Sequence, residues 1–347
     1  MVSRLILETL AYASSLGFLS LGLSLTYITT KVPNFAHADF AVAGMYSLLW
    51  LVKIFHKKLT YNYFLYGFPL AFIIGSLIAV GMYIFVLRPL ANKGNTITGL
   101  MIATFAVDLM LFASYTIYAS IKRPEYGREG LDTLSRYPLS YEPTINIHGQ
   151  PILATAIIGP IILFVIATIF WAFLKYTKFG TAMRASIENP HLAEVVGVNV
   201  NLVQIVAWII AGGLAGMAGV ILAFHVPVNP NTSNLLIVSI FAGSIAGGLG
   251  SIFGGVIGGF LIGIFELLGS KYTGDFLSWM FSSIYHRPEN IVLVNYPKVF
   301  SLGVIIIVLL VLPQGLGGVN YGAWWRKIRG KGEKSLGMKG EEVETSE

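Results

Sequence analysis

A chain of 347 residues that is 55% hydrophobic and only 12% charged falls well short of the roughly 25% charged residues of a soluble domain, and its mean hydropathy is +0.72. That balance excludes an ordinary soluble enzyme and indicates a polytopic membrane protein. The lack of cysteine removes disulfides, thiolate metal sites and thiol nucleophiles. The net charge of +6 is read from where Lys and Arg fall about the membrane, not as a sign of nucleic acid.

An apolar run of about 18 residues or more can cross a bilayer. In lipid it must be helical, because an open strand leaves its backbone unpaired. Runs of that kind cover 5–29, 64–87, 97–119, 152–174 and 202–224. Arg4 and Ala11-Tyr12-Ala13 imitate a signal peptide. Glu8 interrupts the core, however, and apolar character continues to Thr30, so the first run is read as a retained span. Residues 39–55 are short and follow the polar "KVPNFAHAD", which predicts a half-helix or re-entrant segment. Loop 120–150 carries no positive excess and is placed outside. Residues 175–184 hold Lys175, Lys178 and Arg184 without an acid, and are placed in the cytoplasm.

Residues 235–268 carry no charge before Glu266 and are rich in glycine, with Gly247, Gly248 and Gly250 clustered near the middle. Two short helices with a break at those glycines are expected. Rows such as Gly250, Gly254 and Gly258 also suit close helix packing. In "DFLSWMFSSIY" Asp275 is a fair N-cap for an interfacial amphipathic helix over 275–285. The run Val299–Leu312 is short unless it begins near Ile291, with Lys298 snorkelling to the interface. "WWRKIRGKGEK" after it is basic and cytoplasmic. Parity then leaves Lys53, Lys57 and Lys58 on an outer loop, against the usual bias. The expected fold is an all-α polytopic membrane protein with about eight to nine transmembrane or partly embedded helices, some discontinuous.

No phosphate-binding Gly-Lys-Ser/Thr loop, metal-spaced histidine pair or nucleophile elbow is present. The chain is therefore not expected to be an enzyme or to hydrolyse ATP, and no cofactor is called for. The polar stretch "AMRASIENPHLAEVVGVNV" stands between two apolar runs. Pro190 disfavours helix at Asn189 and suits a new helix start. Asn189 is then the N-cap of a helix over 190–196, and Gly197 ends it. A second helix over 180–188 would pair Arg184 with Glu188 at i, i+4. Met183 with Ile187, and Leu192 with Val195 and Val196, make apolar edges. Such helices either dock into a soluble partner or lie on the lipid surface.

This stretch, followed by "LAGMAGVILA", resembles the cytoplasmic loop of permease subunits of branched-chain amino acid ABC importers. The matching residues are Arg184, Ala185, Asn189, Pro190, Ala193, Gly197 and Asn199, then Leu214, Ala215, Gly216, Ala218 and Gly219. "PNFAHADFAVAGMY", "VLRPLAN", "GGLGSIFGGVIGGFLIGIFE" and "LPQGLGG" resemble further motifs of the family, in order, across about 30–320. Asp108 is a departure, standing where the family usually has a small or hydroxyl residue. The resemblance implies a permease domain over 1–320, with 120–150 as external loop and 175–200 as cytoplasmic coupling loop. A basic, disordered cytoplasmic tail covers 321–347. It further implies a plasma-membrane importer that works with a second, related permease, two cytosolic ATPases and an extracytoplasmic substrate-binding protein, in contact with membrane lipid and not with nucleic acid.

Within that reading Arg184, Ala185, Glu188, Asn189, Pro190, Ala193 and Gly197 are the candidate ATPase-coupling residues. Asn34, His37, Asp39, Gly44, Asp108, Gly247, Gly248 and Gly250 are the candidate substrate-pathway residues. Asp39 equally suits an N-cap for a helix starting at 40, and His37 a buried hydrogen bond. Asp108 and Glu266 are the acids placed well within apolar spans. Such groups face a cavity or a partner: Asp108 could meet a substrate amine, and Glu266, near an expected helix end, suits a structural role. The same fold with a urea, sugar or nucleoside cargo remains open, as does an ATP-independent carrier or channel.

Overall fold

The computed structural model describes residues 4–54, 61–126, 144–147, 150–226, 228–285, 298–311 and 315–318. They are almost entirely helical. In chain order the elements are α1 (Arg4–Thr30), α2 (His37–Ile54) and α3 (Tyr61–Met82), which runs on through a π-helical turn (Tyr83–Leu87) into α4 (Arg88–Asn92). Then come α5 (Ile97–Tyr126), a hairpin of β1 (Thr144–Ile147) and β2 (Gln150–Leu153), α6 (Ala154–Tyr176), α7 (Lys178–Glu188), α8 (Pro190–Val195) and α9 (Val200–Leu222). The chain continues with α10 (Thr232–Gly247), α11 (Ile252–Ile264), a second π-helical turn (Phe265–Gly269), α12 (Ser270–Tyr285), α13 (Lys298–Val311) and a 3₁₀ turn (Leu316–Gly318).

Among the described residues, six helices are long and apolar enough to cross a membrane, with Thr232–Gly247 and Lys298–Leu310 as shorter apolar helices. The all-α, multi-helix expectation therefore holds, and the five long runs fall where the hydropathy puts them. The hairpin was not foreseen. It pairs Thr144 with Leu153 and Ile147 with Gln150 in antiparallel register, so the fourth long span begins at Ala154. The expected loop 120–150, the second half of the 53–58 lysine cluster and the tail 321–347 lie largely or wholly outside the described residues.

The core is α1, α9 and α11 with α3 and α10 against them, and small residues set its spacing. A Cβ on Gly44 of α2 or on Gly75 of α3 would meet the carbonyl oxygen of Gly216 or Gly212 on α9. Cβ atoms on Gly259 and Gly263 of α11 would meet the α1 backbone at Leu16 and Ala13. Lipid tails are as apolar as leucine, so helix association in membranes rests on such close approach and on interhelical hydrogen bonds. Ser76 Oγ donates to the Ile209 carbonyl at 2.7 Å, and Ser244 Oγ to the Ser20 carbonyl at 3.1 Å.

These contacts fix the direction of each helix. Gly75 lies against Gly212, while Tyr83 OH donates to Gln204 Oε1 at 2.5 Å, so α3 and α9 are antiparallel. The C-terminus of α1 shares their Gln204 end, where Gln204 Nε2 donates to the Thr29 carbonyl at 3.2 Å. That is also the end that carries α7 and α8. Lys31, with φ of 57°, turns the chain back into the bundle. His37 then meets the Leu19 carbonyl, midway along α1, through Nε2 at 3.0 Å. A half-embedded start for α2 is what the sequence indicated.

Four expectations are corrected. The run 252–285 is one continuous helix with a π turn inside it, so Asp275 lies within a helix and caps nothing, and Glu266 sits in mid-helix and not near an end. Lys298 does not snorkel: it lies 3.2 Å from Glu266. Asp39 does not start a helix at 40, because α2 begins at His37 and Asp39 falls in its first turn.

Candidate functional site

The α7–α8 end is shaped by local caps. Thr177 Oγ1 accepts from Gly180 N–H at 2.9 Å and starts α7. Asn189 Oδ1 accepts from Leu192 N–H at 3.1 Å and starts α8, with Pro190 at its first position. Gly197, at φ 88°, closes α8: its N–H donates to Glu194 O at 3.0 Å and Val198 N–H to Ala193 O at 2.9 Å. Those are the paired bonds of a Schellman motif, which needs a left-handed residue at that place. Asn189→Ala should cost about 1 kcal/mol of local stability, read as faster amide exchange confined to 190–196. Unchanged exchange there would contradict the cap assignment.

The two apolar edges part company. Met183 is buried in a cluster with Leu25, Phe170, Leu174 and Val203, and Ile187 packs on it. The α7 edge therefore anchors the segment to the bundle. Leu192, Val195 and Val196 face outward, at 60%, 82% and 70% exposed, while Ala193 is buried beneath them. Arg184, Glu188, Asn189, Pro190 and Gly197 are exposed and Ala185 is half-buried. Among the described residues no ion pair joins Arg184 to Glu188, so the expected i, i+4 pair is absent; the ion pairs there are Arg4–Glu8 and Glu266–Lys298.

The second centre is the entrance to α2. Asn34 Oδ1 accepts from Ala36 N–H at 3.1 Å. Phe35 N–H donates to Thr104 Oγ1 of α5 at 3.2 Å, and its ring meets Phe105 and Phe241 with centroids 6.3 and 5.3 Å away. The Asp39 carboxyl faces Asp108 of α5 and Ser233 of α10, and its carbonyl accepts from Tyr115 OH at 3.0 Å. Asn34, His37 and Asp39 are fully buried and Asp108 is 7% exposed. A Cβ on Gly22 would meet the His37 ring, 2.9 Å from Nε2, so Gly22 makes room for the imidazole. Asp39 joins Asp108 and Glu266 as an interior acid, which the sequence did not disclose.

The structure thus brings Asn34, His37, Asp39 and Asp108 together. It does not bring the expected glycines to them. Gly44 sits in the α2–α9 contact. Gly247 packs against Gly254, and Gly248, at φ 96°, lies under Gly315. Ile252 and Phe253 just beyond join the Met183 cluster, so this break lies at the α7–α8 end. A Cβ on Gly250 would meet nothing within 4 Å.

Glu266 is held by four groups. Tyr12 OH donates to it at 2.7 Å, Ser239 Oγ at 2.5 Å, Lys298 Nζ at 3.2 Å, and Ser301 Oγ as well. Tyr12, Ser239, Ser301 and Lys298 were not foreseen. A lone base ahead of one apolar helix and a lone acid inside another were the signal for the ion pair, since intramembrane charges take partners. Among the described residues no group of three or more His, Asp or Glu could hold a metal.

The family profile for the permease component of branched-chain amino acid transport systems matches residues 5–309. The chain belongs to this family. The permease is 36% identical over 327 residues to the probable branched-chain amino acid transport permease protein LivH of Methanocaldococcus jannaschii, covering 94% of this chain and 95% of that one. It is 26% identical to the high-affinity branched-chain amino acid transport system permease protein LivH of Escherichia coli K12, covering 88% and 92%. The fructose import permease protein FrcC of Rhizobium meliloti matches at 28% over 35% of this permease and 36% of its own length. No solved structure matches. With its apolar helices, the permease is a multi-pass membrane protein.

Proposed function

We propose that this permease forms part of the path by which an ABC importer carries branched-chain or other hydrophobic amino acids into the cell. Cytosolic ATPases would drive it, a related second permease would complete the path and an extracytoplasmic binding protein would supply the substrate. The α7–α8 end faces the cytosol in this reading. Lys31, Arg88, Lys93, Lys175, Lys178 and Arg184 gather there, and the turn at 315–318 packs on Gly248 and Ser251 at the same end, in line with the positive-inside rule. A sugar cargo has less support, because the fructose relative matches over about a third of the chain.

The observation that carries the coupling role is the outward edge of Leu192, Val195 and Val196 on a helix capped at both ends. A short rigid helix with an apolar edge is the form that seats in a groove of a partner. Arg184, Glu188 and Asn189 flank it as polar rim. Purification in mild detergent tests this. Wild-type permease should bring down an ATPase and a second permease. A triple Leu192→Ser, Val195→Ser, Val196→Ser variant should lose at least tenfold of the ATPase while keeping membrane expression and the second permease. Full ATPase recovery with the triple variant would reject the coupling assignment. Absence of any ATPase with wild type would favour an ATP-independent carrier.

A further inference from the structure

The α2 entrance carries polar groups that its own fold leaves unused. Asp39 is fully buried, and although Ser233 and Asp108 face its carboxyl, neither carboxylate oxygen makes a hydrogen bond within 3.5 Å. Asp108 faces it from α5. Adjacent interior carboxyls cannot both ionise, so the pair carries at most one negative charge, and no Lys or Arg contacts it among the described residues. Asn34 is an independent pointer: it is fully buried, its Oδ1 holds the turn before α2, and its Nδ2 has no partner. The first N–H groups of α2, at His37 and Ala38, have no acceptor within their own helix. They give this end a partial positive charge inside the bundle.

A carboxyl pair and a positive helix end thus lie within one helical turn of each other. Phe35, Phe105 and Phe241 form an aromatic wall beside them, and Phe105 is 52% exposed. Phe105 and Asp108 are three residues apart on α5, so they share a face. Discontinuous helices in transporters use this device, aiming a half-helix N-terminus at an anionic substrate group.

We propose that the junction of α2, α5 and α10 is a recognition site for a zwitterionic apolar amino acid. Asp39 and Asp108 take its α-ammonium, Asn34 Nδ2 and the α2 N-terminus take its α-carboxylate, and Phe35, Phe105 and Phe241 pack its aliphatic side chain. The proposal rests on the importer reading above and adds where the cargo is held and by which charges.

The complete importer in proteoliposomes tests it, with this permease, its partner permease, the ATPase and the binding protein. Photo-leucine, the diazirine analogue of leucine, is delivered by the binding protein and irradiated. Labelled peptides containing Phe35, Phe105 or Phe241 are expected from wild type; labelling confined to other helices overturns the site. Asp39→Asn and Asp108→Asn should each lower leucine uptake at least tenfold and reduce that labelling. Leucine uptake at the wild-type rate in both variants also overturns it. Wild-type labelling needs no variant, so the test survives one that fails to fold. ATP hydrolysis by the wild-type complex without leucine uptake would instead overturn the cargo reading, and this site with it.

Discussion

Lys298→Met is expected to cost about 3 kcal/mol, the low end of the roughly 3–5 kcal/mol for breaking a buried ion pair by removing one partner. Glu266 has no solvent exposure, so it cannot recover a hydration shell when the ammonium goes. Three hydroxyls, of Tyr12, Ser239 and Ser301, would still donate to it, which places the cost at the low end. The converse Glu266→Ala should be worse. It leaves an ammonium beside two hydroxyls and removes the acceptor that ties α1, α10 and α13 to the π turn.

Thermal unfolding of the purified permease in detergent measures both. The double variant Glu266→Gln, Lys298→Met should lose less than the sum of its parts, since Gln still accepts from the hydroxyls and leaves no buried charge. Strict additivity, or a Lys298→Met variant as stable as wild type, would show that the pair is not what holds these helices. If so, the π turn at Phe265–Gly269 would need another reason. As it stands, the turn's extra residue aims Glu266 inward, and π-bulges often serve such placement.

Gly216→Val should abolish folded permease. Gly216 lies where α2, α3 and α9 meet: a Cβ there would meet the Ala71 carbonyl, and Cβ atoms on Gly44 or Gly75 would meet Gly216 itself. The obstructing atoms are backbone, so no rotamer change relieves them, and the helices must part. Ordinary overpacking costs about 1–3 kcal/mol; displacing two helix backbones belongs with substitutions above about 4 kcal/mol. Fluorescence-detected size exclusion should show no monodisperse peak. Gly81→Val and Gly303→Val are the controls, because a Cβ at either meets nothing within 4 Å, and both should run like wild type. A Gly216→Val peak at wild-type height would refute the close approach.

Much of the site was legible locally. Asn189, Pro190 and Gly197 announce α8 because a cap acts within four residues and needs no neighbour. Met183 and Leu192 look alike on paper, however. Only packing turns one toward Leu174 and leaves the other bare. The glycine break was read correctly as a break, but its depth was not, since depth depends on what Gly315 and Ile252 pack against.

By itself the sequence determined the class and the spans. In lipid a long apolar run has one backbone solution, and that solution is local. It also determined the family, through motifs spread in order from about residue 30 to 320. The tertiary structure alone decided the pairings: Glu266 with Lys298, 32 residues apart, and Asp39 with Asp108. Each pair joins separate helices. The energy of an interior charge depends on what stands across the gap, and no spacing along the chain encodes that.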